Sequence, residues 1–277
     1  MELSDDLQSK IENLISYLNN KKVIVAFSGG VDSSLLAFLS KKYAKDTLLI
    51  TEKSILYPDE EIQEASEFAK TYHISHIIIE RNPLENDNFK KNPHNRCYIC
   101  KTGLYKDIIK IKDEKNFDIV LDGSNQDDLS DYRPGMQALK ELGISTPYID
   151  FKLTKQDIRN IAELYKLEVK AKPSMACYSS RIPYNQPIDE NKLSMIREAE
   201  NFLKSNFNLK QLRVRYHDER LARIELLQED LIQILNKDNI AKIKTKLKEL
   251  GFCYITIDLE GFRSGSLNEI LSFTNRN

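Results

Sequence analysis

Residues 21–34 of this chain read KKVIVAFSGGVDSS, and this stretch decides the fold. The short apolar run after the two lysines indicates a buried strand, and the glycine pair indicates a tight turn. The residues from Val31 onward, VDSSLLAFLSKKYA, are typical of a helix. A strand, a glycine turn and a helix in this order predict the start of a parallel α/β sheet.

The same alternation continues through the first two thirds of the chain. An amphipathic helix is predicted over residues 4–20, and TLLITE, HIIIE and FDIVLDGSN are predicted strands separated by helices. This pattern predicts an α/β fold, a parallel sheet with helices on both faces. From about Ile188 the pattern changes to a helix, the strands LRVRYH and LARIELL, one or two helices and a final strand. We therefore predict an α/β domain over residues 1–184 and a small α+β domain over 185–277.

The composition limits the class of protein. The chain has 277 residues, of which 41% are hydrophobic and 30% charged, as in a globular protein with a substantial core. The formal net charge of −1 gives no field that favours nucleic acid, so no nucleic-acid partner is expected. Acidic residues stand where a secretory signal needs basic ones, and no apolar run reaches the length of a membrane span. A cytoplasmic protein without a membrane partner, with reduced cysteines, is the expectation.

The glycine turn has the chemistry of an anion site. Its backbone N–H groups can approach a phosphate closely, the following helix directs its positive end at the same point, and serine hydroxyls add donors. Asp32 can hold a cation beside the phosphates. No Lys-Ser/Thr pair follows the glycines, so this is not a Walker loop, and the dinucleotide G-x-G-x-x-G pattern is missing as well. The alternative is a serine-rich capped turn with no ligand.

The turn resembles the S-G-G-x-D-S signature of the PP-loop ATP pyrophosphatases. Enzymes of that superfamily cleave ATP between its α and β phosphates and place AMP on an acceptor oxygen. The resemblance implies ATP and Mg²⁺ as cofactors. It also predicts a set of nucleotide-binding residues in this loop, namely Ser28, Gly29, Gly30, Asp32, Ser33 and Ser34.

Other nucleotide-site residues are expected where the remaining strands end. In an open parallel sheet, ligands bind beyond the carboxyl ends of the strands. We therefore expect Ala26, Lys53 and Gly123 to line the cleft. The loop after Gly123 also carries three acidic residues that could either bind magnesium or form a solvated turn. The second interpretation is preferred for the first two of them, in the series Asp127, Asp128 and Asp131.

Three of the four cysteines are expected at the same end of the sheet. Cys97 and Cys100 stand in RCYICK, and Cys177 stands in a proline-containing linker. Three thiolates could bind zinc together with a histidine such as His94, or a four-iron cluster, and structural cysteines without a metal remain open. Spacing alone does not separate these alternatives. Cys253 lies in the alternating segment GFCYITIDL and is predicted to be a core residue.

Further strings resemble one family along nearly the whole chain, from Ser28 to about Leu267. They are LDGSNQDDLSDYRPG, CYSSRIP, LRVRYH and DLEGFRSG, in this order. Together with the PP-loop they are similar to the LarE sulfur-insertion enzymes, the pyridinium-3,5-biscarboxylic acid mononucleotide sulfurtransferases. The resemblance implies that ATP adenylates a carboxylate of this mononucleotide and that sulfur then replaces oxygen. The product contributes to the nickel-pincer cofactor of lactate racemase.

Members of that family are of two kinds, and the cysteines distinguish them. One kind has a single cysteine, at the position of Cys177, which gives up its own sulfur. The other kind has three cysteines that hold a 4Fe-4S cluster, which carries sulfide to the substrate. Because this chain has Cys97 and Cys100 as well as Cys177, the resemblance implies the cluster type, with sacrifice of Cys177 as the alternative. It also implies a sulfide donor, a nickel-inserting enzyme and a second copy of this chain as partners, since family members assemble as hexamers or trimers.

The same resemblance assigns roles in binding and catalysis. It makes Cys177 and Asp32 the catalytic residues and implies a phosphate site with a carboxylate beside it, formed by Ser180, Arg181, Arg213, Arg215, Arg263 and Glu225. From the residues alone, these arginines are typical of surface charge, although Arg213 and Arg215 share one face of their strand. The role of His217 stays open. The segment NPHNRCYICK departs from the one-cysteine members, which carry an aromatic-rich loop at this place.

Two rival functions use part of the same evidence. A tRNA thiolation enzyme also combines a PP-loop with cysteines, but it should carry a basic surface, whereas the lysines of the C-terminal part are scattered. A nucleotide sensor with a zinc site would use the cysteines without catalysis. Amidating PP-loop enzymes related to NAD or GMP synthetases explain neither the cysteines nor the arginines.

Overall fold

The fold is known from a computed structural model that describes residues 4–130, 133–167, 176–209, 211–263 and 265–269. Parts of several sequence predictions lie outside these ranges. They are Asp131 and Tyr132, the first part of the linker before Cys177, and Ser264 in the last quoted string.

The chain divides into two compact units. The first contains Met1–Ser54, Pro58–Pro83 and Asn95–Met175, and the second contains Ile55–Tyr57, Leu84–His94 and Ala176–Asn277. Two short segments of the N-terminal half therefore belong to the second unit. The division into an ATP domain and a substrate domain at residue 184 stays a prediction.

The first unit is built on a four-stranded parallel sheet. Its strands are β1 Lys22–Ala26, β2 Asp46–Lys53, β3 Ser75–Glu80 and β4 Ile119–Leu121, in the spatial order β3-β2-β1-β4. Val23 of β1 lies opposite Thr47 of β2 on one side and Ile119 of β4 on the other. All four predicted strands are confirmed, and β3 forms one edge of the sheet.

The helices of the described residues follow the predicted alternation. In chain order they are α1 Asp5–Leu18, α2 Val31–Tyr43, α3 Asp59–Thr71, α4 Asp87–Lys90, α5 Arg96–Glu114, α6 Gly135–Glu141, α7 Pro147–Asp150, α8 Lys155–Leu164, α9 Glu190–Phe207, α10 Gln228–Ile234 and α11 Lys237–Glu249. The short helices α4, α6 and α7 were not predicted from the sequence. None of the helices in the described ranges is long and apolar enough to cross a membrane.

The sheet of the first unit is covered on both faces, as predicted. Val23 and Val25 of β1 pack into one core together with α1, α2 and α8, whereas Ile24 between them packs into a second core with α5. Successive side chains of a strand point to opposite faces, which explains the alternation. The apolar run of β1 is continuous because both of its faces are buried.

The second unit contains a three-stranded sheet, and helices α9, α10 and α11 belong to the same unit. Strands β5 Leu212–His217, β6 Leu221–Leu226 and β7 Tyr254–Ile257 lie in the order β5-β6-β7. The β5–β6 pair is antiparallel and the β6–β7 pair is parallel. Helix α9 packs against β5 with a buried stripe that includes Ile196, Ala199 and Leu203.

The prediction that Cys253 is a core residue is wrong. Cys253 is exposed and precedes the strand, which begins at Tyr254. β7 is an edge strand whose residues are exposed or only partly buried, so the alternating sequence does not mark a buried face here.

Helix α8 allows a matched test of the packing. Ile161 is fully buried in the core against the sheet, while Leu164 on the same helix is 42% exposed. We expect Ile161→Ala to lower the free energy of unfolding by about 2–5 kcal/mol, because it leaves a cavity. Leu164→Ala should change it by about 0.5 kcal/mol or less. Urea unfolding of both variants measures the difference, and equal effects would contradict this assignment of the core.

Candidate active site

The loop after β1 has the geometry of an anion site. Gly29 has a φ of 71°, a left-handed conformation that side chains disfavour, and α2 begins two residues later at Val31. The loop closes on itself, since the Ser28 N–H donates to Ser33 Oγ over 3.3 Å and the Gly30 N–H donates to Ser28 Oγ over 3.4 Å. Hydroxyl groups and a helix N-terminus therefore meet at the carboxyl end of the sheet.

Gly123 brings the loop after β4 against the same helix. A Cβ at this position would lie 3.1 Å from the backbone nitrogen of Ser33 and 3.3 Å from the carbonyl carbon of Asp32. Such contacts leave no room for a side chain. The structure thus places three predicted nucleotide-site residues, Gly123, Asp32 and Ser33, in direct proximity.

The negative charge of the Asp32 carboxylate is in an unfavourable environment. One carboxylate oxygen, Oδ2, accepts a hydrogen bond of 3.4 Å from the Asn125 side chain, while buried Oδ1 has no partner among the described residues. Burial, together with the nearby Asp128, raises the pKa of Asp32 to about 6, although Lys155 acts in the opposite direction. The Tyr148 hydroxyl donates to the backbone oxygen of Asp32 over 3.0 Å.

These features fit a bound divalent cation. Ser34 Oγ, on the same first turn of α2, is also buried without a partner in the described part of the chain. Mg²⁺ prefers oxygen ligands and would satisfy the unpaired carboxylate oxygen of Asp32. Two acidic residues of the loop after β4 have partners within the protein: the Lys155 N–H donates to Asp127, and Asp128 accepts from the Asn125 N–H and from Arg133.

Other predicted nucleotide-site residues lie at the strand ends with different partners. Ala26 ends β1 and is partly buried against the core that includes Ile24. Lys53 ends β2, and its ammonium group pairs with Glu80 of the neighbouring strand over 2.8 Å. Nucleotide binding by Ala26 and Lys53 stays a prediction.

The cysteine pair lies on the first turns of α5, which begins at Arg96. Three ion pairs tie α5 to the strand ends. Lys101 pairs with the buried Asp122 after β4 over 3.2 Å, and Arg81 joins Glu52 at the end of β2 to Asp107 of α5 over 2.9 and 2.8 Å. Burial opposes ionisation of Asp122, but Lys101 and hydrogen bonds from Ser124 and Tyr105 outweigh it and lower the pKa of Asp122 to about 2.

In the second unit, Cys177 precedes a single 3₁₀ turn, Tyr178–Arg181. Its carbonyl oxygen accepts hydrogen bonds from the Ser180 N–H at 3.0 Å, from Ser180 Oγ at 2.8 Å and from Arg181 Nη1 at 3.0 Å. The backbone of Cys177 is thereby fixed by two of the residues that the resemblance assigns to the phosphate site.

Arg181 is committed to partners within the protein. It is fully buried, and its Nε and Nη2 donate to the two carboxylate oxygens of Glu200 over 2.9 and 3.0 Å. Nη1 donates to the carbonyl oxygens of Ala176 and Cys177. Burial lowers the pKa of Arg181, but the charge of Glu200 outweighs this effect, so the pKa is raised. Phosphate binding by Arg181 stays a prediction, whereas its role in holding the Cys177 turn is observed.

Arg213 and Arg215 lie together on β5, both 4% exposed. Arg215 donates to Glu225 over 2.8 Å and to the backbone oxygen of Ser180 over 2.7 Å. Arg213 lies over the Phe262 ring at 5.2 Å, and burial, reinforced by Arg181, lowers its pKa to about 10, so it stays charged at neutral pH. The structure therefore gathers most of the predicted phosphate-site residues, namely Ser180, Arg181, Arg213, Arg215 and Glu225.

Arg263 has a different environment. It pairs with Asp258 over 3.5 Å, with Glu260 over 2.9 Å and with Glu269 over 2.9 Å. Hydrogen bonding to Glu269 is the main reason that the pKa of Arg263 is raised. Phosphate binding by Arg263 stays a prediction, and an anion there would compete with three carboxylates.

Glu200 is a residue that the sequence analysis missed. It is fully buried on α9, where it also accepts the Val214 N–H over 3.0 Å. The available signal was an acidic residue inside the apolar stripe of that helix, because a buried carboxylate needs a cationic partner.

The cysteines fit an iron-sulfur cluster by donor chemistry. None of the four forms a disulfide; Cys97 is exposed, and Cys100 and Cys177 are partly exposed, so their sulfurs can reach a ligand. The first two belong to the first unit and Cys177 to the second. No group of three metal-binding side chains is assembled among the described residues. His94, the candidate zinc ligand, packs against the Tyr184 ring at 4.7 Å.

Comparison with known proteins identifies the family. The profile of the NAD synthase family matches residues 3–183. The chain is 32% identical over 273 residues to the pyridinium-3,5-bisthiocarboxylic acid mononucleotide synthase of Lactiplantibacillus plantarum, covering 96% of both chains. The chain belongs to the LarE family of PP-loop ATP pyrophosphatases. As a LarE-family protein it is an enzyme, an ATP-dependent sulfurtransferase.

Two further relatives of this LarE-family protein are uncharacterized. One, from Synechocystis sp., is 37% identical over 268 residues, which are 96% of this chain and 99% of the relative. The other, from Methanocaldococcus jannaschii, is 37% identical over 253 residues, or 91% and 95% of the two chains.

Asp32 of this LarE-family protein should make the stability of the ligand-free enzyme depend on pH. Its folded pKa of about 6 exceeds the ordinary value of 3.8. The neutral form is therefore favoured by folding, and this contribution is lost as the pH rises through about 6. We expect Asp32→Asn to match the natural protein in stability near pH 4 and to exceed it at pH 7.5, by about 1–3 kcal/mol. Urea unfolding at the two pH values measures this. The same variant should lose Mg²⁺-ATP binding, and an equal stability at pH 7.5 would contradict the assignment.

Helix α9 offers a matched test of the buried ion pair. Glu200 and Glu198 are neighbours on this helix, but the Glu198 side chain is 49% exposed and lies 3.7 Å from Arg197. Glu200→Ala leaves the Arg181 charge buried and unpaired, so we expect the free energy of unfolding to fall by about 3–5 kcal/mol. Glu198→Ala should cost about 0.5 kcal/mol or less. A similar cost for both, measured by urea unfolding, would argue against a stabilising role of the buried Arg181–Glu200 pair.

Proposed function

We propose that the enzyme inserts sulfur into pyridinium-3,5-biscarboxylic acid mononucleotide at the expense of ATP. In the first step a substrate carboxylate oxygen attacks the α-phosphorus of ATP, and pyrophosphate leaves. In the second step a sulfur nucleophile attacks the acyl carbon and AMP leaves, which yields a thiocarboxylate. The likeness to the Lactiplantibacillus plantarum synthase over nearly the whole chain supports this substrate.

The observation that carries the proposal is the group of buried arginines in the second unit. Arg181, Arg213 and Arg215 are each at most 4% exposed, and two buried carboxylates, Glu200 and Glu225, lie among them. Burial and the charge of Arg181 lower the pKa of Arg213 to about 10, so its charged form is less favourable there than in water. A phosphate group would stabilise these positive charges, and guanidinium groups bind phosphate in a bidentate manner.

For the adenylation step, the loop after β1 supplies the pyrophosphate site. The N–H groups beside Gly29 and Gly30 would bind the leaving pyrophosphate, and Asp32 would hold Mg²⁺ against it. The bound cation would also pair with the buried Asp32 carboxylate and thereby stabilise its negative charge. The buried, unpaired Oδ1 of Asp32 supports this role.

For sulfur transfer, Cys97, Cys100 and Cys177 would hold a 4Fe-4S cluster. Three thiolates would leave one iron without a protein ligand, and the bound cluster would supply an exchangeable sulfide there. The protein's contribution is to present the thiolates, and the hydrogen bonds to the Cys177 carbonyl fix the backbone of one of them. The alternative is that Cys177 gives up its own sulfur.

Further parts of the proposal concern the setting of the reaction. We place the enzyme in the cytoplasm, as a homo-oligomer, in the formation of a nickel-pincer nucleotide. Its partners there would be a sulfide donor and a nickel-inserting enzyme.

Mass spectrometry tests the proposal. Anaerobically reconstituted enzyme is mixed with ATP, Mg²⁺, sulfide and the dicarboxylate mononucleotide, and both protein and small molecules are weighed. We expect a product heavier by the exchange of oxygen for sulfur, formed over several turnovers, with AMP and pyrophosphate released and the protein mass unchanged.

The controls separate the parts of this mechanism. Cys97→Ser and Cys177→Ser should each lose iron, whereas Cys253→Ser, which changes an exposed cysteine, should keep it. If the protein mass falls by one hydrogen sulfide at Cys177, the sacrificial route operates and the cluster route is refuted. The absence of any thiolated mononucleotide would refute the proposed function.

A further inference from the structure

Asn125 is a buried polar residue to which the proposed reaction gives no role. It lies in the loop after β4, within the first unit, and it is fully buried. Its side-chain nitrogen Nδ2 faces the Asp32 carboxylate and donates a hydrogen bond to Oδ2 over 3.4 Å. A hydrogen bond of this length is weak by itself, so its effect on Asp32 depends on whether the amide is held in this direction.

The loop itself fixes the direction of the Asn125 amide. The amide oxygen Oδ1 accepts the Asp127 N–H over 3.1 Å. Because an amide oxygen only accepts and an amide nitrogen only donates, this bond directs Nδ2 to the Asp32 side. The main chain of Asn125 is held as well, since its N–H donates to Asp128 Oδ2 over 3.1 Å and its carbonyl oxygen accepts the Asp128 N–H over 3.1 Å. The donor that faces Asp32 therefore belongs to a fixed turn.

Asp32 is also held through its main chain, by a different residue. Tyr148, which is fully buried on α7, donates its hydroxyl to the Asp32 carbonyl oxygen over 3.0 Å. Tyr148 thus acts on the backbone of Asp32, whereas Asn125 acts on its carboxylate. The two carboxylate oxygens differ as a result: Oδ2 has a hydrogen-bond donor, and Oδ1 has none among the described residues.

This difference between the two oxygens bears on the choice of cation. Ca²⁺ takes about six to eight oxygen ligands in a flexible geometry and readily binds both oxygens of one carboxylate. Mg²⁺ is smaller and requires a nearly ideal octahedron, which a bidentate carboxylate distorts. A donor on Oδ2 leaves Asp32 with one available oxygen, and such a ligand suits Mg²⁺ better than Ca²⁺.

We infer that Asn125 is a positioning residue that makes Asp32 a one-oxygen ligand and thereby favours Mg²⁺ over Ca²⁺ as the cation bound with ATP. This inference rests on the part of the proposed function in which Asp32 holds Mg²⁺ against the phosphates. Asn125 acts through Asp32 rather than on ATP itself. Aspartate has the same length as asparagine but no donor, so it could not occupy Oδ2 in this way.

ATP binding with two cations tests the inference without turnover. The full-length enzyme, in the absence of the mononucleotide, is titrated with ATP in an excess of either Mg²⁺ or Ca²⁺, and calorimetry gives the two dissociation constants. Their ratio is the decisive quantity, because general damage to the site changes both constants together. Asn125→Ala removes the amide, and Asn125→Asp keeps the size and the acceptor for the Asp127 N–H but lacks the donor.

The expected result is a change of preference towards Ca²⁺. In Asn125→Ala and in Asn125→Asp the ratio of the two constants should move towards Ca²⁺-ATP by roughly fivefold or more, because Oδ2 becomes available to the cation. Tyr148→Phe is the matched control, since it removes a hydrogen bond to the backbone of the same Asp32. It should change the ratio by less than about twofold, even where it weakens both constants. Thermal melting shows that each variant is folded.

Three results would overturn the inference, and they separate it from the proposed function. An unchanged ratio in both Asn125 variants would show that the amide does not govern how Asp32 binds the cation, while the ATP site stands. An equal shift in Tyr148→Phe would show that any loosening of Asp32 alters the preference, so Asn125 would have no specific part. If the unaltered enzyme binds ATP with neither cation, the adenylation step of the proposed function fails together with the inference. The expected shift without any thiolated product would refute the proposed function alone.

Discussion

The parallel alignment of β1 with β2 and β4 is the constraint on which the first unit depends. It brings the carboxyl ends of three strands together at one end of the sheet. There β1 is followed by the glycine loop, β2 ends near Glu52 and β4 is followed by Asp122. The two carboxylates are used to anchor α5 through Arg81 and Lys101. The helix that carries the cysteine pair is therefore fixed at the same end of the sheet as the glycine loop, because parallel strands end together and two of these ends carry the anchoring carboxylates.

The second unit depends on a different kind of interaction, the buried ion pair. Arg181 and Glu200 form a bidentate pair with both side chains fully buried, and Arg215 pairs with Glu225 on the adjacent strands. Such pairs contribute little net stability, because desolvation offsets most of their attraction, but each partner becomes costly to remove. They define the geometry of the Cys177 turn more strictly than apolar packing would, since hydrogen bonds have fixed directions.

Much of this architecture could be predicted because it is encoded locally. The continuous apolar run of β1, the glycine pair and the periodic helices predicted all four strands and both covered faces of the first sheet. The placement of Gly123 beside Asp32 followed from the rule for strand ends. What could not be predicted depends on contacts between distant residues: the pairing of Arg181 with Glu200, the inclusion of residues 55–57 and 84–94 in the second unit, and the exposure of Cys253 at an edge. The motif indicated which arginines matter, but only the structure shows that Arg181 and Arg263 already have carboxylate partners.

The bonds that hold Cys177 end on its backbone oxygen, contributed by Ser180 and Arg181. The turn therefore keeps these hydrogen bonds whatever side chain stands at residue 177. A substitution of the thiol by another side chain on a tetrahedral Cα should thus alter the reactivity of this position while the surrounding backbone stays as it is.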